Sequence, residues 1–209
     1  MNSMPYIMSS VESFKKQKYK DKELVLVYSK SVDNTYDFLK SLSDKNIRKF
    51  EFEGPIYSAL NFGIKKSRGE IVGILHSDDI FFSELTLNNI AKTYKKNRYD
   101  LIYGNILYCE KNNILKIKRN WSKIKLKKKF DLPPHTSLFV KKKIYNKYTY
   151  KNEYYISGDT DFLLNIFSKK FKKYYLNKYI TIMRIGGIST NFTFIIKKIF
   201  EDIKIFFKY

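Results

Sequence analysis

The sequence predicts an α/β fold with a mostly parallel sheet flanked by helices, and three observations carry that expectation. Short apolar runs at Leu24–Val27, Ile71–Leu75 and Leu101–Tyr108 alternate along the chain with stretches of helical spacing. The first two runs are continuous, the pattern of strands covered on both faces. Strands separated by helices of about 10 to 15 residues are joined by right-handed crossovers, which leave neighbouring strands parallel.

Taken in order, Ile7, Met8, Val11 and Phe14 open the chain with a helix. After the strand at Leu24, the residues Tyr36, Leu39 and Leu42 mark a second helix, and residues 49–53 a short strand. A helix over 56–66, the strand 71–75, a helix over 85–94 and the strand 101–108 follow. Residues 111–130 hold nine Lys and Arg and no acid, with partial alternation over 123–127, and read as an exposed strand or loop. Pro133-Pro134 precedes a strand over 137–140, and residues 160–167 form a helix. At the end Phe192, Ile196, Ile199, Phe200, Ile203 and Phe207 share an apolar face opposite Lys197, Lys198, Lys204 and Lys208. No repeat or flexible linker intervenes, so residues 1–190 are one domain and 191–209 a basic amphipathic C-terminal helix. A helix in such a sheet normally crosses over from a preceding strand, so a chain opening on a helix is expected to be N-terminally truncated by one strand.

Composition narrows the class. At 44% hydrophobic, a chain of 209 residues closes a core and is not intrinsically disordered. Cys109 is the single cysteine, and with only His76 and His135 beside it no disulfide framework or Cys/His zinc site can be assembled. Any metal must therefore rest on carboxylates. No uncharged apolar run reaches about 18 residues, and residues 1–11 lack the basic-then-apolar order of a signal peptide, so the expected location is cytoplasmic. The charge of +21, from 41 Lys and Arg against 20 Asp and Glu, points first to nucleic acid or an anionic membrane. The joint excess of Lys, Ile, Asn, Phe and Tyr, all with A/T-rich codons, is a second source of that charge. Neither a P-loop nor a Gly-x-Gly-x-x-Gly turn occurs, so ATP and dinucleotide chemistry have no support.

Ligands of such sheets bind beyond the carboxyl ends of the strands, and the strand 71–75 leads into His76-Ser77-Asp78-Asp79. Two adjacent carboxylates there suit a hard divalent cation whose shell is completed by substrate phosphates. Alone, such a pair after a strand is more often a loop or helix cap.

The stretch Gly54-Pro-Ile-Tyr-Ser-Ala-Leu-Asn-Phe-Gly-Ile64, followed by Arg68-Gly-Glu-Ile-Val-Gly-Ile-Leu-His-Ser-Asp-Asp79, resembles the GT-A-fold (Rossmann-like) glycosyltransferases of family 2. In that family a Gly-Ile-Tyr-Asp-Ala-x-Asn-x-Gly helix precedes a Gly-Glu-Ile strand and a Ser-Asp-Asp or Asp-x-Asp turn. The resemblance continues through residues 134–139, the Ser157-Gly158-Asp159-Thr160-Asp161 segment and Gly186-Gly187-Ile188-Ser189. It implies that Asp79 binds Mn2+ or Mg2+ on the diphosphate of a nucleotide sugar, with UDP as the nucleotide, and that Asp78 lies against the ribose or the metal shell. It makes Asp159 the general base that takes a proton from the acceptor hydroxyl in an inverting single displacement. Asp33, Tyr57 and Asn61 fall on the donor side and His135 on the acceptor side.

Each of these residues has a plainer reading. Asp159 is placed to cap a helix starting at Thr160. Tyr57 and Asn61, at i and i+4, share a helix face as a packed aromatic and a satisfied amide. A histidine beside two prolines suits a structural role.

The sequence departs from the family pattern at the nucleotide-base pocket. The first strand, expected immediately before Asn2, is missing; Tyr28 or Ser29 replaces a base-contacting acid; Ser58 replaces Asp; and His76 stands where many members have an acid. An upstream start or a truncated, inactive copy would each account for this. The family's processive synthases carry a Gln-x-x-Arg-Trp motif and spanning helices, and neither is present. The expected activity is thus single addition to a surface polysaccharide or lipid-linked oligosaccharide, with the terminal helix on an anionic membrane face. A nucleic-acid-binding module built on residues 111–129 is the alternative class. It is weakly supported, because only Trp121 and the adjoining Phe130 offer stacking rings.

Overall fold

The computed structural model describes residues 2–122, 132–186 and 192–209. The expected alternation over 123–127 and the Gly187-Ile188-Ser189 part of the late motif lie outside the described residues. The elements run α1 (Tyr6–Lys15), β1 (Leu24–Tyr28), α2 (Thr35–Ser41), β2 (Ile47–Glu51), α3 (Ile56–Lys66), β3 (Ile71–Gly73), β4 (Ile80–Phe81) and α4 (Thr86–Asn97). There follow β5 (Leu101–Glu110), β6 (Asn113–Trp121), a 3-10 turn (His135–Ser137), β7 (Leu138–Lys141), α5 (Lys142–Tyr145), α6 (Gly158–Phe167), β8 (Lys173–Arg184) and α7 (Phe192–Lys208).

The α/β class holds, and the sheet is mixed where the sequence pointed to a mostly parallel one. β1 and β2 pair in parallel, as do β5 and β8. β7 runs antiparallel between β3 and β5. β4 on β8 and β6 on β5 are also antiparallel. β5 is the spine: its Leu101, Ile102 and Ile106 are fully buried with Val140 of β7 and Ile180 of β8.

Two strands lay beyond the sequence patterns. β4 is only two residues long. β8 escapes a period-2 reading because its register against β5 slips between Gly104 and Ile106, where Asn177 and Lys178 bulge out. Gly104 permits the bulge, since a Cβ there would lie 2.7 Å from the Lys178 carbonyl oxygen.

The apolar run of β1 is half-buried along its whole length, and so is β3, against the expectation of strands covered on both faces. The reason is an unpaired edge on each. Among the described residues β1 pairs only with β2 and β3 only with β7. The two strands are nonetheless held side by side. The Glu23 carboxylate, just before β1, accepts the Gly69 amide at 2.8 Å and the Arg68 amide, just before β3. α3 covers both, with Gly63 against Val27 of β1 and Leu60 and Ile64 in the cluster that holds Val72. α1 packs on β1 from its own side, with Ile7, Val11 and Phe14 against Leu24 and Leu26.

Amide hydrogen exchange reads this directly. Residues 101–106 of β5 should exchange slowest, and the β1 amides directed away from β2 should exchange faster by orders of magnitude. Equal protection of alternate β1 amides would show that the edge is paired.

Candidate active site

The acidic turn follows β3. The Asp79 amide donates to the His76 carbonyl at 3.1 Å, closing a tight turn that directs the Asp79 side chain inward. Asp79 is 1% exposed, and its Oδ2 has no hydrogen-bond partner among the described residues. Burial and the neighbouring Asp78 raise its pKa well above the usual carboxylate range, with Arg184 pulling the other way. An orphaned buried carboxylate oxygen is costly unless a cation or a proton completes it. Arg184, at the end of β8, braces the turn: its Nη1 donates to the Asp78 carbonyl at 2.8 Å.

The second centre is the start of α6. The helix begins at Gly158, so Asp159 lies in its first turn and does not cap a helix starting at Thr160. Its Oδ1 accepts the Thr160 amide at 2.9 Å and its Oδ2 the His135 Nδ1–H at 3.0 Å. Burial pushes the carboxyl pKa up, but the hydrogen bond from His135 and the Thr160 amide outweigh it, so the net shift is downward. One third of the Asp159 side chain stays exposed (33%), so an ionised acceptor of protons faces solvent. Beyond His135, the Nε2 atoms of His135 and His76 lie 2.6 Å apart. Burial and His135 lower the His76 pKa to about 3, so that ring is neutral.

The segment carrying Asp159 is held from two sides. On α3 the Tyr57 hydroxyl donates to the Ile156 carbonyl at 2.6 Å and accepts the Gly158 amide at 2.9 Å. One turn on, Asn61 pairs its amide reciprocally with the main chain of Tyr150, at 2.8 and 3.1 Å. Tyr57 stacks on Tyr150, and a Cβ at Gly158 would lie 2.6 Å from the Tyr57 ring, so glycine is required for this approach. On the other side, Glu201 of α7 accepts the amides of Tyr155, Ile156 and Ser157 at 2.8 to 2.9 Å. Lys208 pairs with buried Asp161 at 2.7 Å. Ile205 is fully buried with Tyr154 and Leu164.

Of the residues the sequence singled out, Asp78 and Asp79 share the acidic turn, and Asp159 and His135 are bonded to each other. Tyr57 and Asn61 share a face of α3, as their spacing predicted, and both spend their polar groups on the segment leading to Asp159. Asp33 stands apart: its Oδ2 accepts the Met4 amide at 3.1 Å and its Oδ1 the Thr35 amide at 3.0 Å, fastening the N-terminal segment to α2.

Sequence reasoning missed Tyr108, Arg184 and Glu201. Burial raises the Tyr108 pKa, Arg119 lowers it, and Asp79 and Asp159 raise it, so the ring lies within electrostatic reach of both acids. Its position near the carboxyl end of β5, a central strand, is the signal that would have found it. Among the described residues no three His, Cys, Asp or Glu side chains converge on a metal position. The unpartnered Asp79 oxygen, beside Asp78, is a position where a cation could be accepted.

Comparison with solved structures places the fold among the GT-A glycosyltransferases. S. aureus TarS (residues 1–349) in complex with UDP-GlcNAc superposes with a TM-score of 0.76 at 18% identity, covering 91% of this chain and 59% of that one. A mannosyltransferase of Pyrobaculum calidifontis in complex with GDP-Man and Mn2+ gives 0.64 at 15% identity, covering 90% and 55%. The family model described as glycosyl transferase family 2 matches residues 1–200, and the chain belongs to that family. A glycosyltransferase of Rickettsia typhi is 31% identical over 108 residues, 52% of this chain and 33% of its own length. The E. coli UDP-Glc:alpha-D-GlcNAc-diphosphoundecaprenol beta-1,3-glucosyltransferase WfgD is 29% identical over 116 residues, 54% of this chain and 46% of its own length. The matched regions thus span a third to a half of these curated relatives.

Replacing Tyr57 by Phe removes one hydroxyl and leaves the Ile156 carbonyl and Gly158 amide without it. Denaturant unfolding should show a loss of about 1 to 3 kcal/mol. A change below about 0.5 kcal/mol would mean that the bridge does not hold the segment.

Proposed function

We propose that this glycosyltransferase moves a sugar from a UDP-linked donor to a hydroxyl of a surface polysaccharide or lipid-linked oligosaccharide, by single displacement with inversion. The observation that carries the reading is the pairing of buried Asp79, one carboxylate oxygen of which is unpartnered among the described residues, with a partly exposed, ionised Asp159, both within electrostatic reach of Tyr108. The UDP-GlcNAc complex of TarS and the UDP-Glc donor in the name of WfgD support the nucleotide.

Asp79 and Asp78 would hold Mn2+ or Mg2+, and the cation would neutralise charge on the diphosphate leaving group. Arg184 keeps the turn in place and contributes positive charge beside it. Asp159 accepts the proton of the acceptor hydroxyl as its oxygen bonds to the anomeric carbon and the bond to the diphosphate breaks. The His135 N–H fixes the orientation of the carboxylate and leaves its exposed edge to the acceptor. Tyr57, Asn61 and Glu201 act by holding the segment and do not meet substrate.

The linkage sign for Asp79 follows from its raised pKa. The folded chain retains a proton that the unfolded chain has released, so stability falls as pH rises from the ordinary carboxylate range through the folded pKa. A divalent cation reverses that loss. Above that pKa, saturating UDP with Mn2+ should raise the melting temperature by about 5 to 10 °C, and the Mn2+-dependent part of the shift should fade as pH falls. Asp79→Asn should abolish it at every pH. A shift that persists in Asp79→Asn would remove Asp79 from the donor site.

α7 has a second face. Opposite its docked side, Ile196, Phe200 and Phe207 are 64%, 69% and 90% exposed. Among the described residues no helix is long and apolar enough to cross a membrane. An apolar stripe on a chain of net charge +21 suits an anionic lipid surface, where a lipid-linked acceptor would be met. The chain should co-sediment with phosphatidylglycerol vesicles at low salt, and Phe200→Glu with Phe207→Glu should reduce binding at least about tenfold. Unchanged binding in the double variant would exclude α7 as the contact.

A further inference from the structure

The pair His76 and His135 is the one polar contact that joins the acidic turn to the Asp159 centre among the described bonds of the site. His76 opens the turn that ends in Asp79, and its carbonyl is held twice, by the Asp79 amide and by the Ser10 hydroxyl of α1 at 3.1 Å. Its ring meets His135 edge to face, with Nε2 to Nε2 at 2.6 Å and the ring planes at 79°.

Valence constrains the hydrogens along this chain. An ionised carboxylate only accepts, so His135 Nδ1, at 3.0 Å from Asp159 Oδ2, must carry a hydrogen. Two bare nitrogens at 2.6 Å would repel, so one of the two rings presents Nε2–H to the other. We propose that His76 is that donor and a positioning residue: in the order His76 Nε2–H to His135 Nε2, then His135 Nδ1–H to Asp159 Oδ2, it fixes the tautomer and ring orientation of His135, which in turn aims Asp159. The aim of the base thereby depends on the placement of the donor-side turn. No proton crosses this chain during the reaction; His76 acts through geometry alone. The role of Asp159 rests on the transferase reading above, whereas the tautomer assignment does not.

With only two histidines in the sequence, the 15N-labelled full chain gives two imidazole spin systems. Long-range 1H–15N correlation should show one ring as the Nδ1–H tautomer, assigned to His135 by its loss in His135→Gln, and the other as Nε2–H. In His76→Leu, His135 should leave the pure Nδ1–H form, while His76→Gln, whose amide can donate to the same nitrogen, should retain it. In sugar transfer from UDP-sugars, His76→Leu should lower kcat about tenfold with donor KM changed less than about twofold, and His76→Gln should recover most of the loss. Finding wild-type His135 as Nε2–H or doubly protonated would overturn the proposal, and so would an unchanged kcat in His76→Leu. If His76→Leu does not fold, the wild-type tautomers and His76→Gln decide. The expected tautomers in a chain that transfers no sugar would support the assignment and overturn the transferase reading instead.

Discussion

The site depends on one hydroxyl. Tyr57 places its oxygen between the Ile156 carbonyl and the Gly158 amide, so a helix from the first half of the chain determines where the Asp159 segment lies. The bond is buried, where it is worth more than at the surface and where leaving it unmade is costly. Gly158 has no side chain to block the ring, Tyr150 stacks on its face and Asn61 ties down the Tyr150 main chain one turn along. Glu201 closes the arrangement from α7 by taking the three amides just ahead of Gly158.

Around this fixed segment, two carboxylates are kept in opposite states. Asp79 is buried with one oxygen unpartnered among the described residues and resists ionisation; Asp159 is ionised by His135 and a helix-start amide and remains reachable. Environments that push two acids apart divide the roles of charge holder and proton acceptor between them. The fold links them through neighbouring strands: the turn after β3 carries Asp79, and the 3-10 turn before β7, paired to β3, carries His135, which holds Asp159 at the start of α6. The apolar outer face of α7 is attached to the same unit through Glu201, so the surface that would meet lipid is built onto the segment that presents the base.

Much of this was legible in the residues. The order of helices and strands through β5, apart from the two-residue β4, followed from periodicity, and the Ser-Asp-Asp turn and the Ser-Gly-Asp segment were found from motif and spacing. The i and i+4 spacing of Tyr57 and Asn61 placed them on one face, but which partner satisfied them required Tyr150 and Ile156, about 90 to 100 positions away. β8 was hidden by its bulge, and the antiparallel direction of β7 by pairings with β3 and β5 that lie far apart in sequence. Glu201 was indistinguishable from any charged residue on the polar side of an amphipathic helix until three amides from another element pointed at it. Asp33 kept its place at the start of α2 yet spends both oxygens on backbone amides, a competition between capping and ligand binding that sequence alone does not resolve.

The central claim is that Asp159 is the base of sugar transfer and that the surrounding bonds serve to aim it. Single-turnover transfer from a UDP-sugar, with UDP affinity measured alongside, tests this most directly in Asp159→Asn. The substitution keeps the side-chain size and an oxygen for the His135 bond but cannot take a proton. Transfer should fall by at least about a hundredfold with UDP affinity changed less than about threefold. Transfer within about threefold of wild type would contradict the account.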